Sequence, residues 1–446
     1  MQATTTRTRA KRPGPSKAAA SRTAAAPRRK SAGTRRKPSA SGGARRKKTS
    51  SIWISGGFDV PFLIIVLLLI TIGLIMLFSA SYTYSGYYKG DSLYYFKRQL
   101  IFAIFGIAVM FLVSRIDYGV FKVVAVPLLG ITYILLILAL VTPQPEGFEE
   151  FHRWIRLGPL SFQPSEVAKF SLVLFLAWHM DKHYVGNNTR ELYNASWTEG
   201  INSRKSGIKI RTKWVSLILY CLVIGSMCVL VYMENHVSGT LLLFALGFML
   251  MFLGGFNWKW FALIAGIFAL VVIVVVKNPT ILPEHAQPRI TAWLDKNYDP
   301  RGVRWQTNQA IYAIGSGGFF GVGLGNSKMK QLYVSEPQND FIFSIVCEEL
   351  GFVGAFLIVC LFILLVWRGF VIGIHAKDKF GSLLCMGLVF QVGLQAALNI
   401  AVVTDVLPNT GISLPFFSYG GTALLMLIFE MGLILSVSRS ARLKKS

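Results

Sequence analysis

Residues Pro61–Ala80 read PFLIIVLLLITIGLIMLFSA, an uncharged run of 20 residues whose proline stands at its start. A helix rises 1.5 Å per residue, so this run is about 30 Å long, the thickness of a bilayer's hydrocarbon core, and it predicts a membrane-spanning helix. Nine more apolar runs follow: Leu100–Val113, Val123–Val141, Val167–His179, Trp214–Tyr232, Gly239–Leu253, Trp260–Val276, Phe341–Trp367, Leu383–Val403 and Leu414–Val437. The second, fourth and sixth are short and are expected to extend into polar flanks. The reading is an all-α, polytopic membrane protein with about ten transmembrane helices and a large extracytoplasmic loop between helices 7 and 8.

Composition agrees. Of 446 residues 53% are hydrophobic and 15% charged, and the mean hydropathy is +0.51, which excludes a pair of ordinary soluble domains. The net charge of +25 suggests nucleic acid until it is located: Met1–Gly57 holds 16 Lys and Arg and no acid. Clusters such as Arg28-Arg29-Lys30 and Arg45-Arg46-Lys47-Lys48 alternate there with Ala, Ser, Thr, Gly and Pro, without an apolar period. Residues 1–57 are therefore expected to be a disordered cytoplasmic arm that reinforces positive-inside topology and touches anionic membrane lipids. Met1–Lys48 contains no aromatic residue to stack on bases, so no nucleic-acid partner is expected. The five cysteines lie in or beside apolar runs, where a thiol is a small hydrophobe, and imply no disulfide or metal framework. A cleavable signal peptide is not expected, because the first apolar run is long enough to span and follows a long basic arm.

A basic N-terminus and ten crossings place both termini in the cytoplasm, including the short basic C-terminus of residues 439–446. The connection Asp181–Lys213, rich in Lys and Arg, falls on the same side. Lys97 and Arg98 fall on the outer side, where they are expected to snorkel to headgroups. Two outer segments remain for chemistry, Thr142–Glu166 and Lys277–Asp340, the second long enough to hold interfacial helices of its own. Its glycines, Gly315–Gly318 and Gly321–Gly325, lack a strand-to-helix context and suit close backbone packing better than a nucleotide site.

An ionisable group at the centre of a membrane helix costs about 2.5–3.5 kcal/mol, so each one needs a reason. Glu166 and Lys169 stand three apart at the start of the fourth helix and can pair; Arg153 and Arg156 bring two guanidiniums nearby, a chemistry that suits phosphate. Asp340 sits where an apolar helix begins, either as a helix cap or as a partly desolvated general base. Glu348 and Glu349 follow, one of them a candidate buried partner. Pro408-Asn409-Thr410-Gly411 and Leu414–Thr422 bring prolines and a glycine pair to membrane depth, either a kink or a broken backbone lining a cavity.

Four blocks, WIRLGPLSFQPSEVAK (Trp154–Lys169), GLGNS (Gly323–Ser327), EPQNDFIFSIVCEELG (Glu336–Gly351) and Pro408–Gly421, resemble the signature blocks of the SEDS (FtsW/RodA/SpoVE) family, in order and across about Phe58–Arg442. The resemblance implies a ten-helix transmembrane domain over residues 58–438 and a peptidoglycan glycosyltransferase that polymerises lipid II beside a class B penicillin-binding protein and other division proteins. It places the essential aspartate on Asp340, and substrate contacts on Arg153, Arg156, Glu166, Lys169, Glu336, Ser418, Gly420 and Gly421. The family motif SYGGSS is here Ser418-Tyr419-Gly420-Gly421-Thr422-Ala423, which keeps one hydroxyl of two and gives Ala423 no polar role. A long basic arm suits the division type, at the septum of the bacterial plasma membrane, over the elongation and sporulation types. Diphosphate departure calls for cations, supplied by Arg153, Arg156, Lys169 or a bound divalent ion, Mg or Mn. The rival readings are a lipid II flippase, which would use the same intramembrane charges, and a non-catalytic scaffold.

Overall fold

The computed structural model describes residues 56–142, 153–157, 160–183, 208–278, 280 and 287–441. The basic arm before Gly56, most of the Asp181–Lys213 connection and the basic residues after Ala441 lie outside the described residues. Ten long helices follow the ten apolar runs: α1 Val60–Lys89, α2 Tyr94–Arg115, α3 Phe121–Val141, α4 Pro164–His183, α5 Ile208–Met233, α6 Val237–Leu253, α7 Trp258–Lys277, α10 Ile342–Ile374, α11 Lys379–Val403 and α12 Gly421–Ser440. Two shorter helices, α8 Gln287–Leu294 and α9 Trp305–Gly317, occupy the long segment between α7 and α10. Among the described residues seven helices are long and apolar enough to cross a membrane, and α6 is a shorter apolar helix.

Helix ends shift by several residues from the sequence reading, and three differences bear on the site. α2 starts at Tyr94, taking in Lys97 and Arg98; Lys97 pairs with Asp91 at 3.0 Å and Arg98 lies over the Tyr94 ring, so both charges are compensated. α12 starts at Gly421 and not at Leu414, because Pro415 and the left-handed Phe416 (φ 67°) keep that stretch out of a helix. Within Thr142–Glu166 a small hairpin forms, β1 Ile155–Leu157 antiparallel to β2 Leu160–Phe162 with Arg156 opposite Ser161.

One face of each long helix is covered by its neighbours. α2 packs on α12, α10 on α11 and α1, and α4 on α3 and α11, around side chains such as Phe62, Met76, Leu172, Phe380 and Ile428. Ile101, Phe105, Val123, Ile134, Leu222 and Ile363 point outward, as apolar residues do when lipid is the solvent. Charges gather at the helix ends. At one end Asp59 caps α1 by accepting from the Phe62 amide at 3.0 Å and pairs with Arg368 at 2.6 Å. Lys122 there bridges Asp181 and Asp378, each at 2.9 Å.

α10 is broken. Its residues up to Glu349 are buried, Gly351 leaves helical geometry (φ 66°, ψ −169°), and the chain resumes as a lipid-facing helix with Phe352 and Phe356 exposed. The backbone after α9 fills the gap. Val322 and Gly323 amides donate to the carbonyls of Glu348 and Glu349 at 3.0 Å, and Phe352 and Val353 amides donate to Gly318 and Phe319 carbonyls at 3.0 and 3.1 Å. A Cβ on Gly351 would stand 2.2 Å from the Gly321 nitrogen, so the glycines predicted for close backbone packing serve it here. Both acids of the turn are buried and satisfied. Glu349 holds Lys330 at 2.8 Å and accepts from the Ser79 hydroxyl at 2.7 Å; Glu348 accepts from the Lys328 amide at 2.9 Å and from the Ser327 hydroxyl. The segment that leads to Asp340 is thereby locked onto α1 and α10.

Candidate active site

Asp340 ends the segment between α7 and α10. The N-cap of α10 is Phe341, without a side-chain cap, so Asp340 is not spent on capping the helix. Its backbone is stitched to the irregular stretch between α11 and α12. The Asn399 side-chain amide donates to the carbonyls of Asp340 and Ile412, each at 2.7 Å. The Tyr419 amide donates to the Gln338 carbonyl at 2.8 Å. Ser418 Oγ donates to the Asn339 carbonyl at 2.8 Å and accepts from the Leu414 amide at 2.7 Å. Gln395 Nε2 donates to Ser413 O at 3.1 Å and Ser238 Oγ to Thr410 O at 3.0 Å. Broken backbone inside a membrane protein must have its carbonyls met this way. Of the two readings of 408–422, the cavity lining covered by protein is the one observed.

Arg153 reaches the same place from the segment before β1, donating through Nη2 to the Asn235 carbonyl. Gly411, in the left-handed region at φ 69°, leaves the gap between carboxylate and guanidinium: a Cβ there would stand 3.1 Å from Asp340 Oδ2 and 3.8 Å from Arg153 Nη1. Burial pushes Asp340 up to about 6; Arg153 and Arg289 oppose the rise, whereas Glu336 adds to it. Glu336 is held at φ 50°, with Oε2 accepting from Asn339 at 2.8 Å and Oε1 3.5 Å from the Tyr84 hydroxyl. Burial lowers Arg153 to about 10, which leaves it cationic at neutral pH. The arrangement is a carboxylate that can hold a proton near neutrality beside guanidiniums that stabilise negative charge.

The other predicted residues take different places. Lys169 pairs with Glu166 at 2.8 Å and donates to Gln395 Oε1 at 2.8 Å; both ions are buried. They are engaged inside the bundle between α4 and α11, not presented at a surface, and Gln395 links them to the 408–422 stretch. Gly421 packs against α2, where a Cβ would stand 2.3 Å from the Phe102 ring, and the Gly420 amide donates to Gln99 Oε1 at 3.2 Å. Arg156 lies on β1, but its side chain lies outside the described residues.

Three contributors were not anticipated. Arg289 on α8 acts on Asp340 through its field. Asn399 fixes the Asp340 backbone. Glu234, in the turn after α5, is fully buried with neither carboxylate oxygen hydrogen-bonded; burial pushes it up to about 8, and Arg153 opposes this. Glu234 was findable, as a lone acid closing the run Trp214–Tyr232. Arg289 carries no such signal. Among the described residues no three His, Cys, Asp or Glu side chains gather, and the charges facing Asp340 are Arg153, Arg289 and Glu336.

Residues 60–443 match the cell cycle protein family FtsW/RodA/SpoVE. Stage V sporulation protein E of Bacillus subtilis (strain 168) is 35% identical over 384 residues, 86% of this chain and 98% of that protein. A protein named "Probable peptidoglycan glycosyltransferase FtsW" from Trichlorobacter lovleyi is 34% identical over 386 residues, covering 86% and 94%. Among solved structures, a chain of a peptidoglycan synthase complex that coordinates polymerization and crosslinking superposes with a TM-score of 0.65 at 26% identity, over 86% of this chain and 98% of that one. The rod shape determining protein RodA of Thermus thermophilus shares the fold at a TM-score of 0.59 and 24% identity, over 87% and 98%.

Proposed function

Because the chain belongs to the FtsW/RodA/SpoVE family of cell cycle proteins, we propose that it is a peptidoglycan glycosyltransferase that polymerises lipid II on the outer face of the bacterial plasma membrane. The observation that carries the reading is Asp340: partly desolvated, titrating at about 6, and flanked by arginines. Asp340 takes the proton of the acceptor sugar's 4-hydroxyl as that oxygen attacks the anomeric carbon of the growing strand. The bond from that carbon to undecaprenyl diphosphate breaks, and configuration inverts in the single displacement. Arg153 offsets the charge that develops on the departing diphosphate.

Lipid-linked substrates explain why the site is built from the ends of membrane helices. Orientation follows the basic arm: both termini cytoplasmic, Asp340 outside. The partner is a class B penicillin-binding protein that cross-links the strands, in keeping with the similarity to a synthase complex. The role is septal synthesis in division, supported by the relatives named FtsW; the similarity to the sporulation protein supports a second reading, which septum-versus-spore localisation of a fluorescent fusion separates. Purified full-length protein with its partner should convert lipid II into glycan ladders on a gel, and Asp340→Asn should give none while eluting as a folded monodisperse protein. Transbilayer movement of lipid II without ladders would instead identify a flippase.

A further inference from the structure

A cavity of about 300 Å³ opens between α8, the start of α9 and the turn after α11. Ligand sites begin at about this size; it holds one sugar with a substituent, not a whole disaccharide peptide. Its walls are fixed. Arg304, 4% exposed, pairs with Asp405 at 2.5 Å and donates to the Ala292 carbonyl at 2.5 Å, yet its buried Nε has no partner. Gln306 donates to the Ser335 carbonyl at 2.9 Å, and Asn409 donates to Gln306 Oε1 at 3.3 Å. The Gly411 amide in turn donates to Asn409 Oδ1 at 3.3 Å, so one wall of the cavity continues into the backbone that faces Asp340 Oδ2.

Arg289 lines this cavity and differs from the rest. It makes no hydrogen bond or ion pair with any described residue; the fields of Asp340 and Arg153 reach it. Arg304 has its own counter-ion in Asp405, so among the described residues the cavity lining carries one cation more than its acids balance. A half-buried guanidinium at a polar cavity is matched by an anion.

Resting on the polymerase reading, we propose that this cavity is the acceptor subsite: it holds a hexosamine ring against the Gln306 and Asn409 amides and takes an anionic group of the same molecule on Arg289. Two lipid-linked substrates meet at Asp340, and each brings an anion. The donor's diphosphate sits on the carbon under attack, so its cation must border the base, which is the position of Arg153 across Gly411. The acceptor offers a hydroxyl to Asp340 and keeps its anions farther away, beyond at least one sugar. A cation that acts on Asp340 only at a distance, inside a sugar-sized cavity, fits that second role. The anion is a phosphate or a stem-peptide carboxylate; Arg289 binds either by the same forked contact.

The test uses the full-length protein with its partner, a preformed lipid-linked tetrasaccharide as donor, and lipid II titrated as acceptor. Arg289→Ala should raise the half-saturating acceptor concentration at least about tenfold, the loss expected for one charge-assisted contact. Arg289→Lys should recover part of the loss. Val303→Trp, at a partly exposed position lining the cavity, should raise the half-saturating concentration by filling the space without removing charge, and stands as the independent variant should Arg289→Ala misfold. An acceptor with amidated stem carboxylates identifies the anion: weakened binding to wild type assigns the peptide, unchanged binding the phosphate. Unchanged acceptor dependence in both Arg289→Ala and Val303→Trp, with wild-type ladders intact, overturns the subsite and leaves the polymerase standing. Absence of ladders from wild type overturns the polymerase itself.

Discussion

Asp340 must be ionised to accept a proton, and burial has moved that ionisation to about 6. The rate of polymerisation at saturating substrate should therefore fall as pH drops through about 6 and level off above it; a profile flat from pH 5 to 8 would remove Asp340 as the base. Glu234 behaves in the opposite sense. Its folded-state carboxyl titrates at about 8 against an ordinary 4.5, so between those values the folded protein holds a proton that the unfolded chain has lost. Its contribution to stability declines as pH rises through this window. Glu234→Gln removes the titration, and thermal unfolding in detergent should show it more stable than wild type at pH 8, by on the order of 4 kcal/mol, with the difference gone below pH 4.5. Asp340 was legible as an acid at the mouth of an apolar run. Its neutral-range titration was not, because the two arginines and Glu336 that set it arrive from separate parts of the chain.

At the scale of elements, the break at Gly351 gives the bundle its site. An unbroken α10 would leave no free backbone for the 318–323 stretch to pair with, and the chain toward Asp340 would lose its seat. The Lys330–Glu349 pair locks that seat in the interior. Lys330→Met leaves Glu349 buried without its cation and should cost about 3–5 kcal/mol, read as a lowered unfolding temperature and faster proteolysis between residues 318 and 340. The double variant Lys330→Met/Glu349→Leu should recover most of the loss. Equal loss in single and double variants would show that Ser79, and not the ion pair, is the contact that matters. The run Phe341–Trp367 announced a helix, and Gly351 inside it is an ordinary glycine by sequence. Only the opposing backbone at Gly321 explains why no side chain fits there.

For the molecule as a whole, the contacts sort the charged groups to two ends: Asp59, Lys122, Asp181, Arg368 and Asp378 at one, and Asp340, Arg153, Glu234 and Arg289 at the other. With the basic arm cytoplasmic, Tyr333→Cys should react with a membrane-impermeant maleimide on intact protoplasts and His375→Cys only after permeabilisation; the reverse pattern would put the site on the wrong side for undecaprenyl-linked sugars. The long apolar runs and the motif blocks were legible in the chain, since helix length against bilayer thickness and the cost of charge in lipid are local properties of a run of residues. Where those blocks meet was fixed only by tertiary contacts. Lys169, expected to pair with Glu166, does so and is also locked to Gln395; Ser418 and Asn399 hold the backbone around Asp340; Arg289 lines a cavity between α8 and the turn after α11. Each of these depends on contacts or fields between residues far apart in the chain, and no periodicity or composition encodes which distant group a buried charge will face.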